Sequence, residues 1–135
     1  MFLMKLKDEN KKKFLQLCVL ASQVDGVFSD EEYNVIYAYC GEMQLDKMIP
    51  KVEKTSDEIL AELRVSTSYI EKKIIIMGLI GVFYSDRNIN NLEHEYLKKC
   101  ITALEIKTED VEDIKCCYER YLVLYNQIEN MIFAD

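Results

Sequence analysis

Four short motifs of one kind divide this sequence and constrain its fold more than any other feature. Each motif places Ser, Thr or Asn three residues before Glu, at the start of an apolar pattern. In such a capping box the two side chains bond backbone N–H groups that the first turn of an α-helix leaves unpaired. Four helices are therefore predicted to begin at these pairs. The pairs are Ser29 with Glu32, Thr55 with Glu58, Ser68 with Glu71, and Asn90 with Glu93.

Apolar residues between these motifs recur every three or four residues, which is the period of a helix. The first helix is predicted from about Asp8 to Val24, the second from Ser29 to about Gly41, the central helix from Ser68 to about Tyr84, and the last, with Thr108 as its N-cap, from about Glu109 to Ile132. One Pro and four Gly are too few for the many turns of a β-rich domain. We predict an all-α fold, a single helical bundle of about six to seven helices over residues 1–135.

The chain also repeats itself when it is shifted by 61 residues. The segment from Asp25 to Glu32 then lies over the segment from Asp86 to Glu93, with Asp, an apolar residue, an N-cap and Glu at the same offsets. The flanking apolar residues match as well, and we predict that all of them are deeply buried. In this alignment Phe14, Cys18 and Ala21 lie over Ile75, Leu79 and Val82. Two pseudo-symmetric helix–turn–helix halves, related by a pseudo-twofold axis, are the simplest interpretation.

The first of these turns resembles a known family. From Ala21 to Glu32 the chain runs through Asp-Gly, an apolar residue, a Ser N-cap and the Glu that opens the next helix. This pattern is similar to that of the tellurite-resistance protein B (TerB-like) family, and the resemblance is strongest over residues 14–104. The second half departs from it at Arg87, where the family often has Gly, and at Ser85, where it often has Ala. The resemblance implies an all-helical bundle of two such halves that binds proteins in a stress-response or regulatory assembly.

The two acidic turns form the candidate functional site. A pseudo-twofold axis would bring Asp25 and Glu32 of the first turn close to Asp86 and Glu93 of the second. Ca²⁺ and similar cations bind about six to eight oxygen ligands, several of which clustered carboxylates can supply. The resemblance also implies an acidic surface with metal binding. We therefore predict that these four residues bind Ca²⁺ or another divalent cation. Ordinary turn chemistry favours the other interpretation, that both Glu residues only complete caps and both Asp residues end helices.

Other reactive residues do not form a recognisable catalytic set. His94 is the only histidine, and we expect it on the surface between carboxylates. Cys116 and Cys117 are adjacent on a helix and point about 100° apart, so one is expected in the core and the other at its boundary. We predict no enzyme and no catalytic residues. The alternatives are a plain helical scaffold or oligomerisation domain and, less favoured, an enzyme that uses carboxylates or a metal ion.

Charge and cysteine content suggest partners and a compartment. With 24 acidic and 17 basic residues the net charge is −7, which disfavours nucleic acid and favours a protein partner. The basic start of the chain favours a solvated helix face, with an anionic membrane surface or an acidic partner as the alternative. This basic group comprises Lys5, Lys7, Lys11, Lys12 and Lys13. Five cysteines without a CxxC spacing favour a reduced, cytoplasmic protein.

Three features of the helices carry packing predictions. Cys18, Cys40 and Cys100 lie in apolar stripes and are expected to be buried as free thiols. Gly78 and Gly81 of the central helix are expected to permit close helix packing. The three tyrosines of the last helix recur at helical spacing and are expected to line the bundle rather than to stack on nucleic-acid bases. These residues are Tyr118, Tyr121 and Tyr125.

Overall fold

The computed structural model describes residues 2–26, 28–86 and 89–135, apart from the side chain of Asp86. Six α-helices follow one another along the chain, with no strand in those ranges. They are α1 (Asp8–Ser22), α2 (Asp30–Glu42), α3 (Ser56–Ser66), α4 (Tyr69–Phe83), α5 (Asn91–Leu104) and α6 (Thr108–Phe133). Short 3₁₀ turns, Leu3–Lys5 and Tyr84–Asp86, precede α1 and follow α4. The predicted all-α bundle is confirmed.

All four predicted capping boxes are present. In each one the N-cap side chain accepts the backbone N–H of the Glu, and the Glu carboxylate accepts the N–H of the N-cap residue. They open α2, α3, α4 and α5 at the predicted residues. Since both partners lie within one helical turn, the motif alone was enough to predict where these helices begin.

The predicted N-cap of the last helix was wrong. Thr108 is already helical, and the N-cap residue is Lys107, whose side chain makes no capping hydrogen bond. A distant side chain takes over this role, because the Tyr69 hydroxyl accepts the Lys107 N–H at 3.1 Å and donates to the Asp110 carboxylate at 2.5 Å. The hydrogen bond to Asp110, together with burial, raises the pKa of Tyr69 and keeps its hydroxyl protonated. This contact fixes the start of α6 onto the start of α4.

Helix α4 lies at the centre of the bundle and packs against α1, α2, α5 and α6. The six residues matched by the repeat are all buried, as predicted, with at most 1% of any side chain exposed. Close packing explains both glycines of α4. A Cβ at Gly78 would overlap the ring of Phe14, and one at Gly81 would overlap the Tyr39 hydroxyl and lie 3.2 Å from that of Tyr118.

A buried polar network joins the beginnings of α1 and α4. The Glu71 carboxylate accepts the Lys7 N–H at 3.1 Å through one oxygen and the Ser68 N–H at 3.1 Å through the other. Lys7 and Ser68 are the N-cap residues of α1 and α4, so one carboxylate caps two helices. Asn10 donates to the same carboxylate at 3.0 Å. Asn10 and Glu71 are equivalent residues of the repeat, so their direct contact agrees with a pseudo-twofold axis that passes between α1 and α4.

Several side-chain predictions for the two ends of the chain were wrong. Cys116 and Cys117 are both exposed, and of the three tyrosines only Tyr118 packs against the core. Helix α6 has 26 residues and α4, which covers its first half, has 15. At about 1.5 Å per residue, the second half of α6 therefore extends beyond the end of α4. At the other end, Lys11 is buried rather than solvated, and its ammonium pairs with Asp8 at 3.0 Å. The predicted burial of Cys18, Cys40 and Cys100 as free thiols is confirmed.

Candidate functional site

The first acidic turn follows the end of α1. Asp25 is half-buried there, and Gly26 takes a left-handed backbone conformation with φ of +83°. An L side chain is strained in that region, which explains the Asp-Gly pair at this point. The chain then reaches Ser29, which caps α2. Val27 lies outside the described residues.

The second acidic turn joins α4 to α5. Its Asp86 ends the 3₁₀ turn that follows α4, while its side chain and residues Arg87 and Asn88 lie outside the described part of the chain. Asn90 then caps α5 in the same way that Ser29 caps α2. The structure therefore shows the cap of this turn but not the position of the Asp86 carboxylate.

A hydrogen bond joins the two turns. The Asn90 Nδ2 group donates to the Asp25 Oδ2 atom at 3.3 Å, across 65 residues of sequence. The Oδ1 atom of the same Asn90 side chain accepts the Glu93 N–H at 2.9 Å. One amide side chain therefore links the end of α1 to the beginning of α5.

Glu32 and Glu93 are deeply buried, with 4% and 3% of their surface exposed. Glu32 Oε1 accepts the Ser29 N–H at 2.9 Å and the Ser29 hydroxyl at 3.0 Å. Glu93 Oε1 accepts the Asn90 N–H at 3.0 Å. The structure thus gives both residues a capping role, whereas a role in cation binding stays a prediction.

The surroundings of the first turn are strongly acidic. Asp30 and Glu31 occupy the first turn of α2 and are both exposed. Negative charge is favourable there, because the N-terminus of a helix carries a partial positive charge. Within the described residues, no three His, Cys, Asp or Glu side chains form a group that could hold a metal ion. His94 lies half-buried between Glu93 and Glu95 on α5.

Sequence reasoning did not anticipate the contact between Asp25 and Asn90. The repeat puts Ser29 and Asn90 at equivalent positions, and both side chains cap equally well. Only Asn adds an NH₂ group that can donate to a second partner. The choice of Asn at this N-cap was the available signal.

No helix in the described part of the chain combines the length and apolar character that crossing a membrane requires. This finding covers α4 as well, although α4 holds the longest apolar run in the sequence.

Comparison with known proteins identifies the fold. The chain is similar to a tellurite resistance protein from Nostoc punctiforme whose crystal structure has been solved. The two structures superpose with a TM-score of 0.72 over 96% of this chain and 84% of that one, at 18% sequence identity. No known family model matches the sequence, and no curated protein matches it. This chain therefore shares the helical fold of a tellurite resistance protein.

Proposed function

We propose that this chain is a cytoplasmic, non-enzymatic TerB-like helical module of a stress-response or regulatory assembly of the tellurite-resistance type. It binds another protein through its acidic surface, and a divalent cation binds at the two acidic turns. The shared fold with the tellurite resistance protein from Nostoc punctiforme supports the first part. The cation site consists of Asp25 and Asp86, with Glu32 and Glu93 holding the turns in place.

The hydrogen bond between Asn90 and Asp25 is the observation that carries this proposal. It supports a shared site because it joins a carboxylate of the first turn to the cap of the second. A cation that binds the Asp25 carboxylate competes with the Asn90 amide group for the same oxygen. Since Asn90 also caps α5, cation binding acts on the beginning of that helix. A cation that binds at the first turn therefore also affects the cap in the second turn.

Charge supplies the driving force for both kinds of binding. The net charge of −7 disfavours the folded chain through self-repulsion, which a bound cation reduces. The exposed carboxylates of Asp30 and Glu31 beside the first turn suit a partner with a Lys- or Arg-rich surface. A lysine-rich peptide serves as a probe of this surface, and changing both residues to their amides should weaken its binding.

Thermal unfolding with and without cations tests the proposed site. A ligand that binds only the folded state raises the melting temperature, so millimolar Ca²⁺ or Mg²⁺ should raise that of the wild type. The double variant Asp25→Asn with Asp86→Asn should lose this rise. The matched control, Glu109→Gln with Glu112→Gln on α6, removes the same charge from exposed positions. This control should retain the rise in melting temperature that the cation causes. An unchanged melting temperature of the wild type contradicts the cation site.

The second candidate function is a helical scaffold or oligomerisation domain in which both turns are only structural. The complete capping boxes of α2 and α5 favour it, because they explain Glu32 and Glu93 without an ion. This candidate predicts that Glu32→Gln retains most of the stability, since Gln also serves in a capping box. Ser29→Ala should cost about 0.5–2 kcal/mol, with or without cations.

A further inference from the structure

The second half of α6, residues 121–133, forms an apolar helix that the other described residues leave mostly uncovered. We call this segment the α6 tip. Apart from Leu122, which is half-buried, exposure of its large apolar side chains ranges from 40% at Tyr121 to 78% at Phe133. The others are Val123, Leu124, Tyr125, Ile128, Met131 and Ile132. An exposed helix with apolar residues on nearly every face is normally covered by another protein surface.

The tip continues a stripe that already packs in the first half of α6. Val111 is buried, and Ile114 and Tyr118 pack against the core. From there the spacing alternates between three and four residues up to the end of the helix. The full stripe is Val111, Ile114, Tyr118, Tyr121, Tyr125, Ile128 and Ile132. This alternation is typical of two helices that pack along their length at a small angle. The tip is therefore built to pack against another helix.

The chemistry of the tip narrows the kind of partner. Glu129 is the only charged residue from 121 to 133, and no Lys or Arg follows Arg120. Helices that lie on membrane surfaces carry Lys and Arg beside their apolar face, which the tip lacks. A strongly basic protein would find only Glu129 to pair with, and a strongly acidic one would find no opposite charge. The surface that fits is a second apolar one.

Such a surface lies beside the first half of the same helix. An open groove of ≈ 420 Å³ runs between the start of the chain, α4 and α6. Its walls include Phe2, Met77, Ile114 and Cys117, and their accessible surface is almost entirely apolar although Asp113 also lines the groove. Phe2 itself is 54% exposed. One molecule thus presents both an exposed apolar helix and an exposed apolar groove.

We propose that this chain forms a homodimer in which the α6 helices of two copies pair antiparallel and each tip lies in the groove of the other copy. The α6 tip and the groove adjoin each other along the same helix. When two copies pair antiparallel about a twofold axis, each tip therefore lies beside the groove of the other copy, and both grooves are filled. With about 150–250 Å² for a large side chain, the exposed parts of the tip side chains amount to roughly 800 Å² per copy, which is the area that each partner of a stable complex buries.

Sedimentation equilibrium under reducing conditions tests this dimer. The wild type should sediment at twice the 15.9 kDa mass of one chain. Ile128→Glu with Ile132→Glu places charge on the tip and should give monomers with unchanged helical circular dichroism. The control Val65→Glu changes an apolar residue of α3 that is 79% exposed and should leave the dimer intact. A wild type that stays monomeric at several hundred micromolar overturns the proposal.

The adjacent cysteines provide a matched test of the groove. Both are exposed, but only Cys117 lines the groove, because Cys116 lies on another face of α6. Cys117→Glu should weaken the dimer at least tenfold, and Cys116→Glu should leave its dissociation constant unchanged. Equal dissociation constants for the two variants overturn the placement of the tip in the groove.

Binding of the wild type to phosphatidylcholine–phosphatidylglycerol vesicles, lost in the tip variant, would instead make a lipid surface the occupant and overturn the dimer. None of these changes touches the acidic turns.

Discussion

The two helix–turn–helix halves share a sequence pattern but occupy different positions in the bundle. The half made of α4 and α5 contributes the central helix, whose residues from Gly78 to Phe83 are all buried. In the half made of α1 and α2, the first helix is exposed at Asp8, Glu9 and Lys12 and half-buried at Lys13, Gln16 and Leu20. The comparison teaches that a local motif decides where a helix begins, whereas its place in the bundle decides how much of it is buried.

The halves also differ in how their first helices are capped. Helix α4 carries its own capping box, while α1 begins at Lys7 without a side-chain cap. The Glu71 carboxylate of the second half supplies the missing cap through the Lys7 N–H. The first half therefore depends on the second for its start, and the halves are not independent units.

The largest expected effect comes from removing this shared cap. Glu71→Ala leaves the N–H groups of Lys7 and Ser68 without their carboxylate acceptor and removes one hydrogen bond of Asn10, which keeps its two bonds to Ser66. At about 1–3 kcal/mol for each N–H group and about 1 kcal/mol for the lost Asn10 bond, the loss in free energy of unfolding should be about 3 kcal/mol or more. Glu58 stands at the same position of an exposed box, so Glu58→Ala should cost less than about 1 kcal/mol. Urea unfolding of both variants measures the difference, and equal losses would refute the double cap.

The close approach between the halves gives the next effect. Gly78 is equivalent to Leu17 in the repeat, and a Cβ there would overlap the buried ring of Phe14. Gly78→Ala should destabilise the fold by about 1–3 kcal/mol, as overpacking does. Gly41 of α2 is exposed, and a Cβ there would make only an ordinary contact with the Lys47 side chain at 4.0 Å, so Gly41→Ala should stabilise by up to about 1 kcal/mol. Thermal unfolding distinguishes the two signs, and a stabilised Gly78→Ala variant would contradict the packing.

The shared cap should also make stability depend on pH. Burial alone raises the pKa of Glu71, but hydrogen bonds from Lys7, Asn10 and Ser68 outweigh it and hold this pKa below its ordinary value. A carboxyl of this kind stabilises the fold above its unfolded pKa of about 4.3 and loses that contribution as the pH falls through the lower folded value. The stability difference between wild type and Glu71→Gln should shrink on acidification below about pH 4.3. A difference that stays constant in urea unfolding from about pH 7 to 3 would contradict the lowered pKa.

The smallest expected effect on stability concerns the N-caps of α2 and α5. Ser29→Ala and Asn90→Ala each lose a cap worth about 0.5–2 kcal/mol. Asn90→Ala also loses the bond to Asp25, which should add roughly 0.5–1.5 kcal/mol. Asn90→Ser keeps the cap and removes only that bond, so chemical denaturation of all three variants separates the two terms. If Asn90→Ser is as stable as the wild type, the contact between the turns contributes nothing.

The sequence was a good guide wherever the partners of an interaction lie within one helical turn. All four capping boxes were predicted correctly because Ser29 and Glu32, for example, need no other part of the chain. The cap of α6 was predicted wrongly because its partner, Tyr69, lies 38 residues away. Periodicity placed Tyr121 and Tyr125 on one face of α6 but carried no information on where α4 ends beneath them.

The candidate site shows the same limit. The repeat correctly indicated that the two turns are related, and Asp25 does contact the second turn. That this contact runs through the amide of Asn90 depends on the distance between α1 and α5, which no local pattern encodes. Glu32 and Glu93 were placed in the right turns, and their burial in the caps follows from packing rather than from spacing.

Amide NMR spectra recorded during titration with Ca²⁺ and Mg²⁺ test the central claim, that the two acidic turns act as one cation site. Signals from residues 25–32 and 86–93 should shift together, with one apparent affinity. In the variant Asp25→Asn with Asp86→Asn both sets of shifts should disappear, while the helical signals stay in place. Shifts confined to one turn, or no residue-specific shifts at millimolar cation, would contradict the claim.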